Sequence, residues 1–571
     1  MTSAPQAPQA PPDQSGEMSH KQIMAIMLGL MAGMFLAALD QTIVSTALKT
    51  IAGDFQSFDK IPWVVTSYML FATAATPLYG KISDIYGRRP VFLFSIGVFL
   101  IGSVLAGLSQ NMTQLIIFRG IQGLGAGGLM PLAFTIISDI VPPRERGRYQ
   151  GYFGAIFGLS SVIGPLLGGW FTDSLDWRWC FYINVPVGIA AIILVVKYFH
   201  VPHVKRKVKI DYVGAALLVA AVCSLLLALE FGNTDGWGST NILTYFTIAA
   251  VSTVVFIWWE FRVDEPILPL SIFSNRVVST TTAVGFVVGF GMFGAIIYVS
   301  QYLQIIKGLT ATEAGLAIIP MVAGIMLASI GTGQLISKTG KYKGFIVGGM
   351  VLLVLAMFLM GTVNESTSMV VFSIYMFVLG LGLGCCMQNL VLAGQNAASV
   401  HQLGVVTSTQ TFIRQLGGTI GIAIFGTILN GTFIRQVEGP LAAAKPEIDQ
   451  KVAAAQQLVD AAAAGQVPPG ITPDQLEGAK ALLAMPDLTA EQLQRLLADS
   501  QAIRSIGQLS GTLETGIFQS FVEAMQTVYH WALPIMVAGF ALALLIKQLP
   551  MRTGSAHAER MKELAAESAA G

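Results

Sequence analysis

Long apolar runs alternate with short polar segments along the whole chain. The first part carries apolar runs at about 23–44, 61–79, 91–110, 113–137 and 151–172, then one that ends near residue 200. Two more follow at about 212–231 and 242–261. The second part carries 279–303, 314–336, 344–363, 369–392, 405–429 and 527–546. Each run is close to the roughly 20 residues a helix needs to cross a bilayer. Runs of this length predict membrane helices, because buried strands are far shorter. Fourteen spans are expected, and an even number returns the chain to the side on which it starts.

The polar segments orient these spans. One set of loops holds Lys81, Arg88, Arg89, Arg144, Arg146, Arg148, Lys205, Arg206, Lys207, Lys209, Arg262, Arg276, Lys338, Lys341 and Lys343. The short loops on the other side hold only Lys49, Lys60, Arg178 and Lys307. The positive-inside rule places the first set, and both termini, in the cytoplasm of a multi-pass protein of the cell (inner or plasma) membrane.

Composition agrees: 54% of the residues are hydrophobic and 11% are charged, against about 25% charged in a soluble domain. The net charge of +1 gives no sign of a nucleic-acid partner. Cys180, Cys223, Cys385 and Cys386 fall in or beside apolar runs without metal-ligand spacing. They read as small apolar residues. Residues 1–20 are rich in Pro, Gln, Ala and Ser and read as a disordered tail rather than a signal peptide.

Several polar residues do not fit a purely apolar scaffold. Gly80-Lys81-Ile82-Ser83-Asp84-Ile85-Tyr86-Gly87-Arg88-Arg89-Pro90 separates two uncharged runs and predicts a very tight loop. An ordinary positive-inside loop explains Arg88 and Arg89, but not the ordered Gly80, Asp84 and Gly87. Asp40 interrupts the first run, where a carboxylate is costly and marks an ion or proton pathway by default. The plainer alternative is a hydrated carboxylate near the outer end. Arg119 lies one or two turns into the fourth run; it can snorkel to the interface or pair with a buried carboxylate. Arg414 lies deeper, two to three turns into the 405–429 run, where snorkelling is difficult. It reads as a pore or packing residue. Gly123, Gly125 and Gly128 spell a G-x-G-x-x-G, but without a preceding strand this is a helix-packing run, not a nucleotide site. The fifth run carries Gly151, Gly154, Gly158, Gly164, Pro165, Gly168 and Gly169, a bare and kinkable helix surface able to pack tightly.

These motifs together resemble the major facilitator superfamily, and within it the 14-span drug/proton antiporters of the EmrB/QacA type. G-x-x-x-D-x-x-G-R-R at Gly80–Arg89 is similar to the family's loop between helices two and three. Leu39-Asp40-Gln41-Thr42-Ile43-Val44 is similar to its first-helix motif, and Arg119-Gly-Ile-Gln-Gly-Leu-Gly-Ala-Gly to its fourth. Gly164-Pro165-Leu166-Leu167-Gly168-Gly169, with Gly151, resembles the antiporter motif, Ser160 standing where the longer pattern has glycine. Trp177-Arg178-Trp179 with Asn184 and Pro186 resembles a further signature, its tryptophans reading as an interfacial belt. Gly333 to Lys343 echoes Gly80 to Pro90 with Ser337 in place of the acid, an internal repeat that marks two homologous halves.

The resemblance implies an all-α membrane fold of two pseudo-symmetric six-helix bundles plus two linker helices. The divisions are a tail at 1–20, a first bundle at 21–204, two extra helices at 205–265 and five helices of the second bundle at 266–430. Then come an insert at 431–525, the last span at 526–548 and a cytoplasmic tail at 549–571. Thr472-Pro473-Asp474-Gln475 and Thr489-Ala490-Glu491-Gln492 read as helix starts within an extracytoplasmic insert. The resemblance further implies export of drug-like or lipophilic compounds, cationic or neutral, in exchange for protons. Asp40, Arg119 and Arg414 would serve proton coupling. Gly80, Asp84, Gly87, Arg88 and Arg89 would form a conformational latch, with Asp84 against the helix that starts near Gly404. No Walker-type motif is present, so the proton gradient is the expected drive, with no cofactor, no metal and no enzymatic activity. The expected partners are substrate, protons and membrane lipids around a monomer. A dedicated exporter of a metabolite, lipid or siderophore is the alternative on the same fold.

Overall fold

The computed structural model describes residues 20–57, 60–199, 211–399, 402–463, 489–490, 492–493 and 511–551. The basic cluster at Lys205–Lys209 and the helix start at Thr472 lie outside them. Among the described residues the architecture is helical, without strands. The first bundle comprises α1 (His20–Asp54), α2 (Ile61–Tyr86), α3 (Arg88–Gly107), α4 (Met112–Ile140), α5 (Pro143–Ser174), α6 (Trp179–Tyr182) and α7 (Asn184–Tyr198). Next come α8 (Tyr212–Asp235) and α9 (Thr240–Glu260), which pack on each other. The second bundle comprises α10 (Arg276–Ile305), α11 (Ala311–Ala317), α12 (Ile319–Thr339), α13 (Lys343–Met360), α14 (Met369–Ala397), α15 (Leu403–Ala463) and α16 (Gly511–Leu544).

Twelve of the described helices, counting α6 with α7 and α11 with α12, are long and apolar enough to cross a membrane. The apolar part of α10, Arg276–Met292, is shorter. α2, whose last turns carry Lys81 and Asp84, packs against α4 and α15. The chain is a multi-pass membrane protein of two helical bundles with α8 and α9 beside them. Two expected spans pass through a single residue that divides the helix: Ile183 between α6 and α7 in the sixth, and Ile318 between α11 and α12 in the tenth, both keeping right-handed helical backbone angles. Thr310 caps α11 in a reciprocal box with Glu313, and Pro320 stands in the first turn of α12.

The expected tight loop proves to be mostly helix. α2 runs on through Tyr86, and only Gly87 separates it from α3, with φ 95° and ψ 152°. A side chain there would be forced into a conformation that L residues resist, so glycine makes a one-residue link possible. The two halves meet along two seams. α5 lies against α12, and α2 against α15.

Candidate functional site

The first site is a sealed polar cluster inside the first bundle. Asp40 on α1 is 0% exposed and Arg119 on α4 is 2% exposed. Arg119 Nη1 donates to Asp40 Oδ2 at 2.5 Å and to Gln122 Oε1 at 2.8 Å. Gln122, three residues on along the same face of α4, donates from Nε2 to Asp40 Oδ1 at 2.7 Å. Asn184, the first residue of α7, donates to the same oxygen at 2.9 Å and to Ser103 Oγ of α3 at 3.0 Å. The guanidinium of Arg119 lies over the Tyr68 ring of α2, 4.2 Å from its centroid. One carboxylate therefore gathers donors from α4 and α7, and the cation beside it is covered by α2. The hydrated alternative for Asp40 and the snorkelling alternative for Arg119 both fail on burial. Gln41, the next residue of α1, is exposed.

A buried carboxylate is tolerated only where it is paired and hydrogen-bonded. Here every donor is aimed at the charged form. A proton added to Asp40 would remove the attraction to Arg119, which has Gln122 Oε1 and the Val64 carbonyl, 3.4 Å from Nε, as remaining acceptors. The ion pair and its amide donors thus tie α1 to α4 and α7. Arg414 stands apart. Among the described residues no hydrogen bond or ion pair joins its guanidinium to Asp40, to Arg119 or to any other side chain.

The second site is a clasp on the face that carries the basic loops. Arg88 bridges Asp84, at 2.5 Å from Nη2, and Asp139 of α4, at 2.9 Å from Nε. Both Asp84 oxygens crowd the start of α15: a Cβ on Gly404 would lie 2.7 Å from Oδ1 and 2.8 Å from Oδ2. The acid thereby meets the positive end of the α15 dipole. One turn deeper, a Cβ on Gly80 would collide with Ser408 Oγ, so the helices can approach only because Gly80 is bare. Arg89 donates to the Val196 carbonyl of α7 at 2.7 Å and stays within its own half.

The other seam carries a counterpart that the sequence reading missed. Arg144, at the start of α5, donates to the Ser337 and Lys338 carbonyls at 2.9 and 3.1 Å. These are the last carbonyls of α12, where a cation is favourable. Gly147 and Gly333 then meet backbone to backbone, and Gln150 reaches Gln395 of α14 at 3.4 Å. This face of the molecule is closed.

The glycine run of α5 serves two partners rather than one surface. Gly151 and Gly154 face Ile330 and Ser329 of α12, in the other half, with a Cβ on either at 3.0 Å. Gly164 and Gly168 face Thr42 and Thr46 of α1, in the same half. Between them Thr42 Oγ1 donates to the Ser160 carbonyl at 3.0 Å, while Ser160 Oγ bonds back to Ile156 at 2.8 Å. Pro165 lies against Gly315 of α11, and Gly169 accepts from Thr172 at 2.9 Å. Of the two flanking tryptophans, Trp179 is exposed, but Trp177 is buried at 4% and donates to Asp54 at 3.0 Å. Trp177 is therefore a packed side chain and not part of an interfacial belt. The contact of Asp84 with the helix start at Gly404 is the one expected from sequence, whereas Gln122, Asn184, Asp139 and Arg144 were not singled out as site residues, because amides and loop charges carry no cost that marks them inside an apolar run.

Residues 30–422 match the model of the Major Facilitator Superfamily. Multidrug transporter protein MdtP of Bacillus subtilis is 36% identical over 545 residues, covering 95% of this chain and 96% of that protein. Multidrug resistance protein 3 of the same organism is 38% identical over 451 residues, covering 78% and 88%. The solved structure of the proton:xylose symporter XylE superposes with a TM-score of 0.53 over 72% of this chain and 90% of that one, at 14% identity, a likeness of fold. Two bundles meeting at glycine-lined seams, the Gly80–Arg89 motif and these matches lead to one conclusion: the chain belongs to the major facilitator superfamily of membrane transporters.

Proposed function

We propose that the chain exports small lipophilic compounds in exchange for protons, by alternating access between its two bundles. On this reading it spans the cell membrane fourteen times, with the basic face and both termini in the cytoplasm. The observation that carries the reading is Asp40: a sealed carboxylate held by Arg119, Gln122 and Asn184, one residue from an exposed position. The relatives named for multidrug transport support the substrate class, and the absence of a Walker motif from the sequence supports gradient drive.

In the state described here the cytoplasmic side is shut by the Asp84 and Arg144 contacts. A proton arriving from the outer side neutralises Asp40 and loosens the tie between α1 and α4. The bundles then rock about the α5–α12 and α2–α15 seams, opening the cytoplasmic face to substrate. Loss of the proton to the cytoplasm restores the Asp40–Arg119 pair. Asp40→Asn imitates the protonated carboxyl permanently. It is expected to fold and bind substrate, yet to abolish accumulation of a lipophilic dye against an imposed pH gradient in inverted vesicles. Pumping at the wild-type rate by Asp40→Asn would assign the proton to another group.

A further inference from the structure

Three arginines are buried within the helical core and a fourth is half-buried, and all but one of them find acceptors in the protein. Arg88 has Asp84 and Asp139, Arg119 has Asp40 and Gln122, and Arg146 donates to the Val141 and Ser138 carbonyls at 2.8 and 2.6 Å. Arg414 is the exception. It is half-buried, and among the described residues nothing accepts a hydrogen bond from it or pairs with its charge.

Its position follows from the register of α15. Arg414 falls on one stripe with Thr407, Thr411 and Gly418, at spacings of four, three and four residues. At the lower end of that stripe Thr407 accepts from Gln395 of α14, whose amide also reaches the Phe134 carbonyl of α4. The stripe therefore faces the middle of the molecule, where the halves meet. The opposite face of α15, with Phe412, Ile413 and Leu416, is sealed into an apolar cluster with α2 and α8. A Cβ on Gly289 of α10 would collide with the Arg414 carbonyl and lie 3.0 Å from its Cγ, so α10 packs closely against the start of the side chain. Arg414 lies eleven residues beyond Leu403, about 16 Å along the helix, near the centre of a hydrocarbon core of roughly 30 Å.

An uncompensated guanidinium at that depth is costly, and such charges by default mark a substrate or ion path. Its planar fork matches a carboxylate or sulfonate, which it can hold through two parallel hydrogen bonds. We infer that Arg414 is the anchor for an acidic group on the transported compound, so that the substrates are lipophilic organic anions. This inference rests on the reading of the chain as an exporter, and it replaces both the coupling role and the cationic substrate expected from sequence.

The test separates binding from transport. Full-length protein is titrated in detergent with carboxyfluorescein, a carboxylate dye, and with rhodamine 6G, a related cation, following fluorescence anisotropy. The wild type is expected to bind carboxyfluorescein, Arg414→Gln to weaken that binding about tenfold or more, and naphthalene-2-sulfonate to compete. Rhodamine 6G binding should change less than about twofold in the variant. Carboxyfluorescein affinity that is equal in wild type and Arg414→Gln, or binding of rhodamine 6G alone, overturns the anchor. Should Arg414→Gln not fold, Arg414→Lys decides: it keeps the charge but loses the fork, so a selective loss for the carboxylate dye supports the site and no loss overturns it. Export itself is read from dye movement in proteoliposomes. Anion binding without movement sinks the transport reading and leaves the anchor standing.

Discussion

At Asp40 the three donors do different jobs. Arg119 supplies charge, whereas Gln122 and Asn184 supply only hydrogen bonds, and Gln122 touches both partners of the ion pair. A hydrogen bond to a charged group contributes about 1.5–3 kcal/mol, roughly twice a neutral one. Gln122→Leu should therefore destabilise the protein in detergent by about that much, and much less when Asp40 is already Asn, because the charge it serves is gone. The check is a double-mutant cycle on thermal unfolding, with a coupling above about 1 kcal/mol expected. Strictly additive effects would make Gln122 a packing residue. Asp40 and Arg119 were legible in the sequence because a charge inside an apolar run stands out against its cost. Gln122 and Asn184 were not: an amide in a span is cheap enough to be ordinary, and Asn184 stood in a string whose tryptophans pointed to the membrane surface. Arg414 was legible as an anomaly, but its lack of a partner is a three-dimensional fact that no spacing carries.

Between elements, the clasp works by matching side-chain charge to helix ends on both seams. Asp84 meets the start of α15 and Arg144 meets the end of α12, each contact worth about 0.3–1 kcal/mol. Contacts this weak can hold one face shut and still release within a transport cycle. Asp84→Asn and Arg144→Gln should each raise the labelling of a cysteine placed at Gln395, which is buried between the halves, in a background without the native cysteines. The double variant should label faster than either single one. Unchanged labelling with normal transport in all three would remove the clasp from the mechanism. The span helices themselves were readable from run length alone, since each apolar run has one membrane to cross. What run length could not show was where helices break or continue. The charges and paired glycines of 80–90 imitate a loop, yet the helical hydrogen bonds continue to Tyr86 and only Gly87 departs. The second clasp was hidden for a related reason: the repeat lacks an acid at Ser337, and its function moved to Arg144 on a different element.

For the molecule as a whole, helix length says where the membrane cannot be. α15 has 61 residues and α16 has 34, so they extend about 90 and 50 Å at 1.5 Å per residue, against a hydrocarbon core of roughly 30 Å. Both helices overshoot, and the overshooting parts pair with each other. Gly516 faces Pro440, and Phe433, Val437, Ala444 and Ile448 share an apolar core with Leu513, Ile517 and Phe521. Ala490 and Leu493 join that core, with Thr489 and Gln492 forming the reciprocal cap expected from their spacing. The sequence expectation of an insert beginning at 431 thus meets a helix that does not stop there but continues unbroken from the span to Ala463. Because α15 starts on the basic face, its far end must emerge on the other side, and the paired extension follows it. A topology reporter inserted near residue 470 of the full chain should therefore behave as extracytoplasmic, with alkaline phosphatase active and green fluorescent protein dark at the same site. The opposite pattern would mean that α15 begins outside. That would invert the charge-based orientation of every loop and place the Asp84 and Arg144 clasp on the outer face, where it would gate release rather than entry.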